Sequence, residues 1–154
     1  MENKLNTVIL CIGTSKCTGD SLGPLVGEYL YNRINKSNTY IFGNLKNNIT
    51  FKNIDIILNI ITKNIKNPYF MVIDSALSNK DNVGKFIVKK DKMTIGSALN
   101  RRNYRIGDLS IKGIVGENKN NNIKNYNELK NVPMNLIVNL SKRISNMIIK
   151  ELNV

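Results

Sequence analysis

Thr7-Val8-Ile9-Leu10-Cys11-Ile12-Gly13-Thr14-Ser15-Lys16-Cys17-Thr18-Gly19-Asp20-Ser21-Leu22-Gly23-Pro24 is the stretch on which the fold turns. From Thr7 to Ile12 it is a continuous apolar run that stops at Gly13. Such a run suits a strand buried on both faces, as in a parallel sheet. A polar loop occupies Gly13 to Asp20. Beyond it Leu22, Leu25, Val26, Tyr29, Leu30 and Ile34 recur at helical spacing. Pro24 falls in the first turn of that helix, where its missing N–H costs nothing.

The same alternation continues outward. Thr39 to Phe42 reads as a second, short strand. Ile54, Ile57, Leu58, Ile61 and Ile65 form the apolar face of a second helix, with Asn53 at its N-cap. Tyr69 to Ile73 reads as a third buried strand ending at Asp74. A β-α-β-α-β order implies right-handed crossovers and a parallel sheet with helices on both faces. Lys85 to Lys89 alternates charged and apolar residues, as expected of an edge strand wet on one face. Leu109 to Val115 is a further strand, and the Asn-rich stretch 116–127 is expected to be a mobile loop. Pro133 opens a C-terminal helix with Leu136, Leu140, Ile144, Met147 and Ile148 on one face. The expected architecture is a single three-layer α/β domain over residues 1–154. Its sheet is mixed, mainly parallel, of about five strands between helical layers.

Composition removes several chemistries. The 154 residues include no histidine, which excludes Ser-His-Asp and Cys-His catalysis and His-containing zinc sites. The formal charge is +12, from 23 Lys+Arg against 11 Asp+Glu. With 27 Asn, 22 Ile and 18 Lys but 5 Arg, part of that charge reads as A/T-rich codon usage. A protein that reads phosphates and bases would favour arginine, whose planar fork pairs bidentately. A pI near 9.8 still implies weak, salt-sensitive attraction to polyanions. Cys11 and Cys17 form no CxxC pair, and a reducing compartment is expected. No apolar stretch approaches about 18 residues, and no leader with a cleavage site is evident. The expected setting is therefore cytoplasmic, with no membrane segment.

In open α/β sheets, ligands bind beyond the carboxyl ends of the strands. Two segments belong there: Gly13 to Pro24, and Asp74-Ser75-Ala76-Leu77-Ser78. The first is not a phosphate loop. Five residues separate Gly13 from Gly19 where four are needed, and Asp20 follows where Lys-Ser/Thr would stand. The dinucleotide fingerprint fails too, because Cys11 takes its first glycine position. Asp20 reads as a helix cap or as a site carboxylate, and Asp74 as a turn cap or as a site carboxylate. If their strands are neighbours, the two share one crevice. Close carboxylates either share a proton or hold a divalent cation, and either arrangement activates water. Thr18, Ser21 and Ser75 can support the carboxylates or serve as local caps, and Asp108 is a turn residue or a third acid. Lys85, Lys89, Lys90, Lys92, Arg101, Arg102 and Arg105 make a basic stretch, read as a solvated face or as a dock for an acidic protein segment. Nucleic acid is disfavoured, since Phe86 and Tyr104 are its only aromatics.

Three segments carry a resemblance: Val8 to Gly27, Val72-Ile73-Asp74-Ser75-Ala76-Leu77, and Gly107-Asp108-Leu109-Ser110-Ile111. Together they resemble the YyaC-type sporulation proteins of spore-forming Firmicutes, most specifically through Thr18 to Pro24. That family is similar in turn to hydrogenase-maturation endopeptidases and to the spore germination protease. The resemblance implies a hydrogenase-maturation-peptidase-like fold, with Asp20 and Asp74 at the positions of the acid pair. In the maturation endopeptidases the pair senses nickel with a histidine as third ligand. This chain lacks that histidine, so nickel is disfavoured. In the germination protease the pair is proposed to act as an unusual aspartic-type site. Its Gly-Ser-Gly-x-Gly-Asn-like loop is echoed by Gly96-Ser97-Ala98-Leu99-Asn100, which adds Ser97 to the substrate-binding candidates.

The function so implied is a sporulation- or germination-associated peptidase-like hydrolase, in the cytoplasm of a sporulating cell or spore. Its partner would be a protein or peptide substrate. The sequence implies no definite cofactor; a divalent cation other than nickel remains an option, and it would sit on Asp20 and Asp74 only if a metal is used. The alternative is a non-catalytic protein-binding member of the same fold. No sequence signal sets an oligomeric state.

Overall fold

The apolar run that opens the chain becomes the middle of a sheet in the computed structural model, which describes residues 5–95 and 104–153. The elements are β1 (Asn6–Cys11), α1 (Leu22–Tyr31), β2 (Thr39–Phe42), α2 (Ile54–Asn64), β3 (Pro68–Ser78), β4 (Phe86–Lys89), β5 (Met93–Ile95), β6 (Tyr104–Ile106), β7 (Leu109–Glu117), α3 (Asn122–Lys130) and α4 (Met134–Glu151). The main sheet has five strands in the order β2-β1-β3-β7-β4. The first four are mutually parallel, and β4 pairs antiparallel with β7 at the edge. β5 and β6 form a separate antiparallel hairpin.

Alternation along the strands divides the core in two. Ile9, Cys11, Met71, Ile73 and Ile111 face Leu22, Val26 and Leu30 of α1 and Ile137, Leu140, Ile144 and Ile148 of α4. Val8, Leu10 and Val72 face Ile54 and Ile61 of α2, together with Met93, Ile95 and Ile106 of the hairpin. Each fully buried aliphatic side chain contributes about 1.5–3 kcal/mol of burial free energy. Because both faces of β1 are covered, its sequence is an unbroken apolar run rather than an alternating one. α1 lies close over the carboxyl end of β1 because Gly23 faces it. A Cβ there would come within 2.0 Å of the Ile12 carbonyl oxygen.

Three local expectations change. β3 runs on to Ser78, four residues past Asp74, because β7 keeps pairing with it: Asp74 lies opposite Lys112, Ser75 opposite Gly113 and Ser78 opposite Glu117. Stretch 116–127 is not a loop throughout. β7 reaches Glu117 and α3 starts at Asn122. The intervening turn is tied by asparagines: Asn125 Oδ1 accepts from Lys119 N–H at 2.8 Å, and Asn121 Oδ1 accepts from Lys124 N–H at 3.0 Å. Asn53 does occupy the N-cap position of α2, but its amide turns backward. Its Oδ1 accepts from Thr50 N–H and its Nδ2 donates to the Asn48 carbonyl. The hairpin β5–β6 had no counterpart in the sequence reading. Among the described residues, no helix is long and apolar enough to cross a membrane.

Candidate functional site

The strand order creates a switch point between β1 and β3. From β1 the chain passes to β2 on one side, whereas from β3 it passes to β4 and β7 on the other. Crevices at such points, outside the carboxyl ends, are where open α/β sheets bind ligands.

On the β1 side, the last rung is Ile12 N–H donating to the Ile73 carbonyl at 2.8 Å. Gly13 then turns the chain away with φ of +141°, and its N–H donates to the Ile49 carbonyl at 2.9 Å. Thr14 N–H donates to the Asp20 carbonyl at 3.0 Å and closes the loop. A Cβ at position 13 would lie 2.0 Å from that same carbonyl oxygen, so a side chain is excluded there. Asn48, from the loop after β2, grips the outer side. Its Oδ1 accepts from Ser15 N–H, Ser15 Oγ and Thr14 Oγ1 at 3.0–3.2 Å. Gly19 is buried against Leu129 of α3. Asp20 thus sits in a short 3-10 turn, Gly19–Ser21, clasped from three directions. The N-cap position of α1 belongs to Ser21, not to Asp20.

On the β3 side, strand register decides what faces the crevice. The carbonyl of Ile73 faces β1, so the backbone N–H of Ser75, two residues on, points the same way. β1 has ended by then. Instead, Ser75 N–H donates to Asp74 Oδ1 at 2.8 Å, and Ser75 Oγ donates to Asp20 Oδ1 at 3.2 Å. One serine, at the mouth left by β1, therefore touches both carboxylates.

The remaining sequence candidates separate. Ser75 is at the junction. Ser21 is buried and spends its hydroxyl on the Thr18 carbonyl at 2.6 Å, a local bond within the turn. Thr18 is half-buried at the start of that turn. Asp108 lies at the amino end of β7, where its Oδ2 accepts from Phe70 N–H at 2.8 Å and its N–H donates back to the Phe70 carbonyl. It belongs to the opposite end of the sheet, four residues up β3 from Asp74, and acts as a clip between strands. Ser97, the Gly96–Asn100 segment, Arg101 and Arg102 lie outside the described residues.

Four residues near the crevice were not among the sequence candidates. Asn48 is one, and in a chain with 27 asparagines nothing marks it out. Lys112 is another: it is laterally paired with Asp74, so a cation neighbours that acid in the sheet. A lone lysine inside the apolar run of β7 was its available signal. Cys17 and Lys130 are the other two. Burial pushes the Cys17 thiol up from its ordinary value, and the Asp20 carboxylate beside it adds to the rise. Backbone N–H groups of the turn and the Lys130 ammonium oppose it. Cys11, sealed in the core, is pushed up much further by burial alone.

The donor set does not fit the nickel arrangement implied above. No imidazole exists in the chain, and among the described residues no group of three metal-ligating side chains gathers.

The fold is that of the hydrogenase-maturation peptidases. It superposes on the [NiFe] hydrogenase maturation protease HycI from Thermococcus kodakarensis with a TM-score of 0.62 and 18% identity, covering 99% of this chain and 96% of that one. Against the hydrogenase maturating endopeptidase HybD from E. coli the TM-score is 0.58 at 10% identity, covering 97% and 93%. At these identities the likeness is one of fold. The chain belongs to the family described as protein of unknown function DUF1256, whose profile matches residues 1–147. It is 33% identical over 134 residues to the uncharacterized protein YyaC of Bacillus subtilis (strain 168), which covers 87% of this chain. The chain spans 63% of the length of that relative.

Proposed function

We propose that this chain is a peptidase-like hydrolase whose reacting groups are the carboxyls of Asp20 and Asp74. The observation that supports it most is the shared serine. Ser75 hydrogen-bonds Asp20 through Oγ and Asp74 through N, at the switch point of a sheet whose fold is that of maturation peptidases. Two carboxyls held on one residue suit a division of labour. One, protonated, donates to the oxygen of a scissile carbonyl, while the other, ionised, takes a proton from the attacking water. The proton then passes to the leaving amine. No step is routed through a metal, because the residues do not fit the nickel set. A protein or peptide substrate follows from the peptidase-like fold, and the sporulation setting from the resemblance to YyaC-type proteins.

Extract from sporulating cells, incubated with the protein and with Asp20→Asn and Asp74→Asn, tests the reading by the appearance of new protein N-termini. The wild type is expected to generate specific termini. Each variant should lose activity by about 10²-fold or more, the scale of a general acid or base. Cleavage that survives both substitutions would sink the two-carboxyl mechanism. Proteins captured intact by wild type and variants alike would favour a binding role for the crevice.

A further inference from the structure

The basic stretch of the sequence falls partly on β4, the antiparallel edge of the main sheet. Its pairing shows which backbone groups are committed. Gly84 N–H donates to the Ile114 carbonyl and Ile114 N–H donates to the Lys85 carbonyl, both at 2.8 Å, a bulge that opens the strand. From Ile114 the β7 residues that bond toward β4 are Lys112 and Ser110, whose partners are Ile87 and Lys89. The backbone groups of Phe86 and Val88 therefore point outward, and no described strand pairs with them. Ile87 and Val88 remain 41% and 43% exposed, one on each face of the edge.

We propose that the outer edge of β4 is a docking site for an acidic, extended segment of another protein, which pairs with it as an added strand. Recognition of this kind draws affinity from main-chain bonds and specificity from alternate side chains. The charge on the edge selects the occupant. Lys85, Lys89 and Lys90 are all exposed along it. The nearby acid Asp91 faces Arg105 at 3.8 Å and accepts from Lys92 N–H. A second copy of this edge would set lysines against lysines, which is destabilising, whereas glutamates or aspartates opposite them attract. Arg143 of α4 holds the start of the strand, donating to the Gly84 carbonyl at 2.7 Å and lying over the Phe86 ring. The edge is thus a fixed template. It lies two strands from β3, about 10 Å across the sheet, and its docking role does not depend on catalysis by Asp20 and Asp74.

The test uses a fluorescein-labelled peptide, Glu-Val-Glu-Val-Glu-Val, followed by anisotropy at 150 mM NaCl. A second peptide carries N-methyl groups on alternate amides, which keeps the charge but blocks strand pairing. Saturable binding of the first is expected, weakened at least tenfold by N-methylation. Val88→Pro should weaken it comparably, because it removes only an outward N–H and leaves the Ile87 and Lys89 rungs. The double variant Lys85→Gln/Lys89→Gln should weaken it several-fold. Absence of saturable binding would overturn the proposal. So would equal binding of the N-methylated peptide, which would mean plain attraction of a polyanion to a basic protein.

Discussion

Gly13 carries the consequence that is sharpest at the scale of one residue. Its φ of +141° is costly for an L side chain, and an added Cβ would meet the Asp20 carbonyl at 2.0 Å. Gly13→Ala is expected to destabilise by about 2 kcal/mol or more, measured by urea denaturation, and to displace Asp20 even where the protein still folds. Cys17 offers an independent reading of the same carboxylate. A thiol is alkylated as its thiolate, and a neighbouring negative charge disfavours that form. Below the thiol pKa, removing the charge therefore lowers the pKa and speeds the reaction. Asp20→Asn should raise the rate of Cys17 alkylation by iodoacetamide at pH 8 by about two- to fivefold, and Lys130→Met should slow it. Cys11 should stay unlabelled in the native protein, since it is fully buried. Mass spectrometry after timed quenching separates the two thiols. Asp74 stands out in the sequence because a carboxylate that breaks an apolar run has no core role there. Asn48 does not, since its place is set by hydrogen bonds across 34 positions of sequence.

Elements were legible where a long periodic pattern met a clear stop. β1, β2, α1, α2 and α4 follow their apolar spacing to within a few residues. Polarity at Asp74 looks like a terminus, yet β3 continues to Ser78. Pairing with β7 carries the strand onward regardless of polarity, since backbone bonds need no apolar side chain. The hairpin β5–β6 has three-residue strands, too short for alternation to register, and only tertiary burial of Met93, Ile95 and Ile106 reveals it. α3 was hidden by asparagines, which favour turns in isolation. Here they tie the helix to the turn that follows β7. Asn125 is buried, accepts from Lys119 N–H and donates to Asn118 Oδ1. Asn125→Ala should cost about 1–3 kcal/mol by leaving these groups without their partner. Amide hydrogen exchange should accelerate over 117–122 while β1 and β3 stay protected. Uniform acceleration across the sheet would mean that the asparagines do not act locally.

For the whole molecule the governing fact is that 23 cations share 11 acids, so at least half of the cations have no one-to-one partner anywhere in the chain. Folding concentrates that excess, and the mutual repulsion opposes the compact state. Salt at about 0.15 M shortens the Debye length to about 8 Å and screens most of it. The melting temperature is therefore expected to rise by a few degrees between 20 and 300 mM NaCl, as scanning calorimetry would record. A chain held mainly by exposed ion pairs would show the reverse. The same excess gives a sequence-blind attraction to heparin that should fade over this range. Pairing along β4 rests on backbone bonds as well as charge, so the Glu-Val peptide should retain measurable affinity at 300 mM NaCl, where heparin is released. If peptide and heparin dissociate in parallel as salt rises, the edge contributes charge alone. A peptide that persists after heparin has gone separates strand addition from the general basicity of the chain.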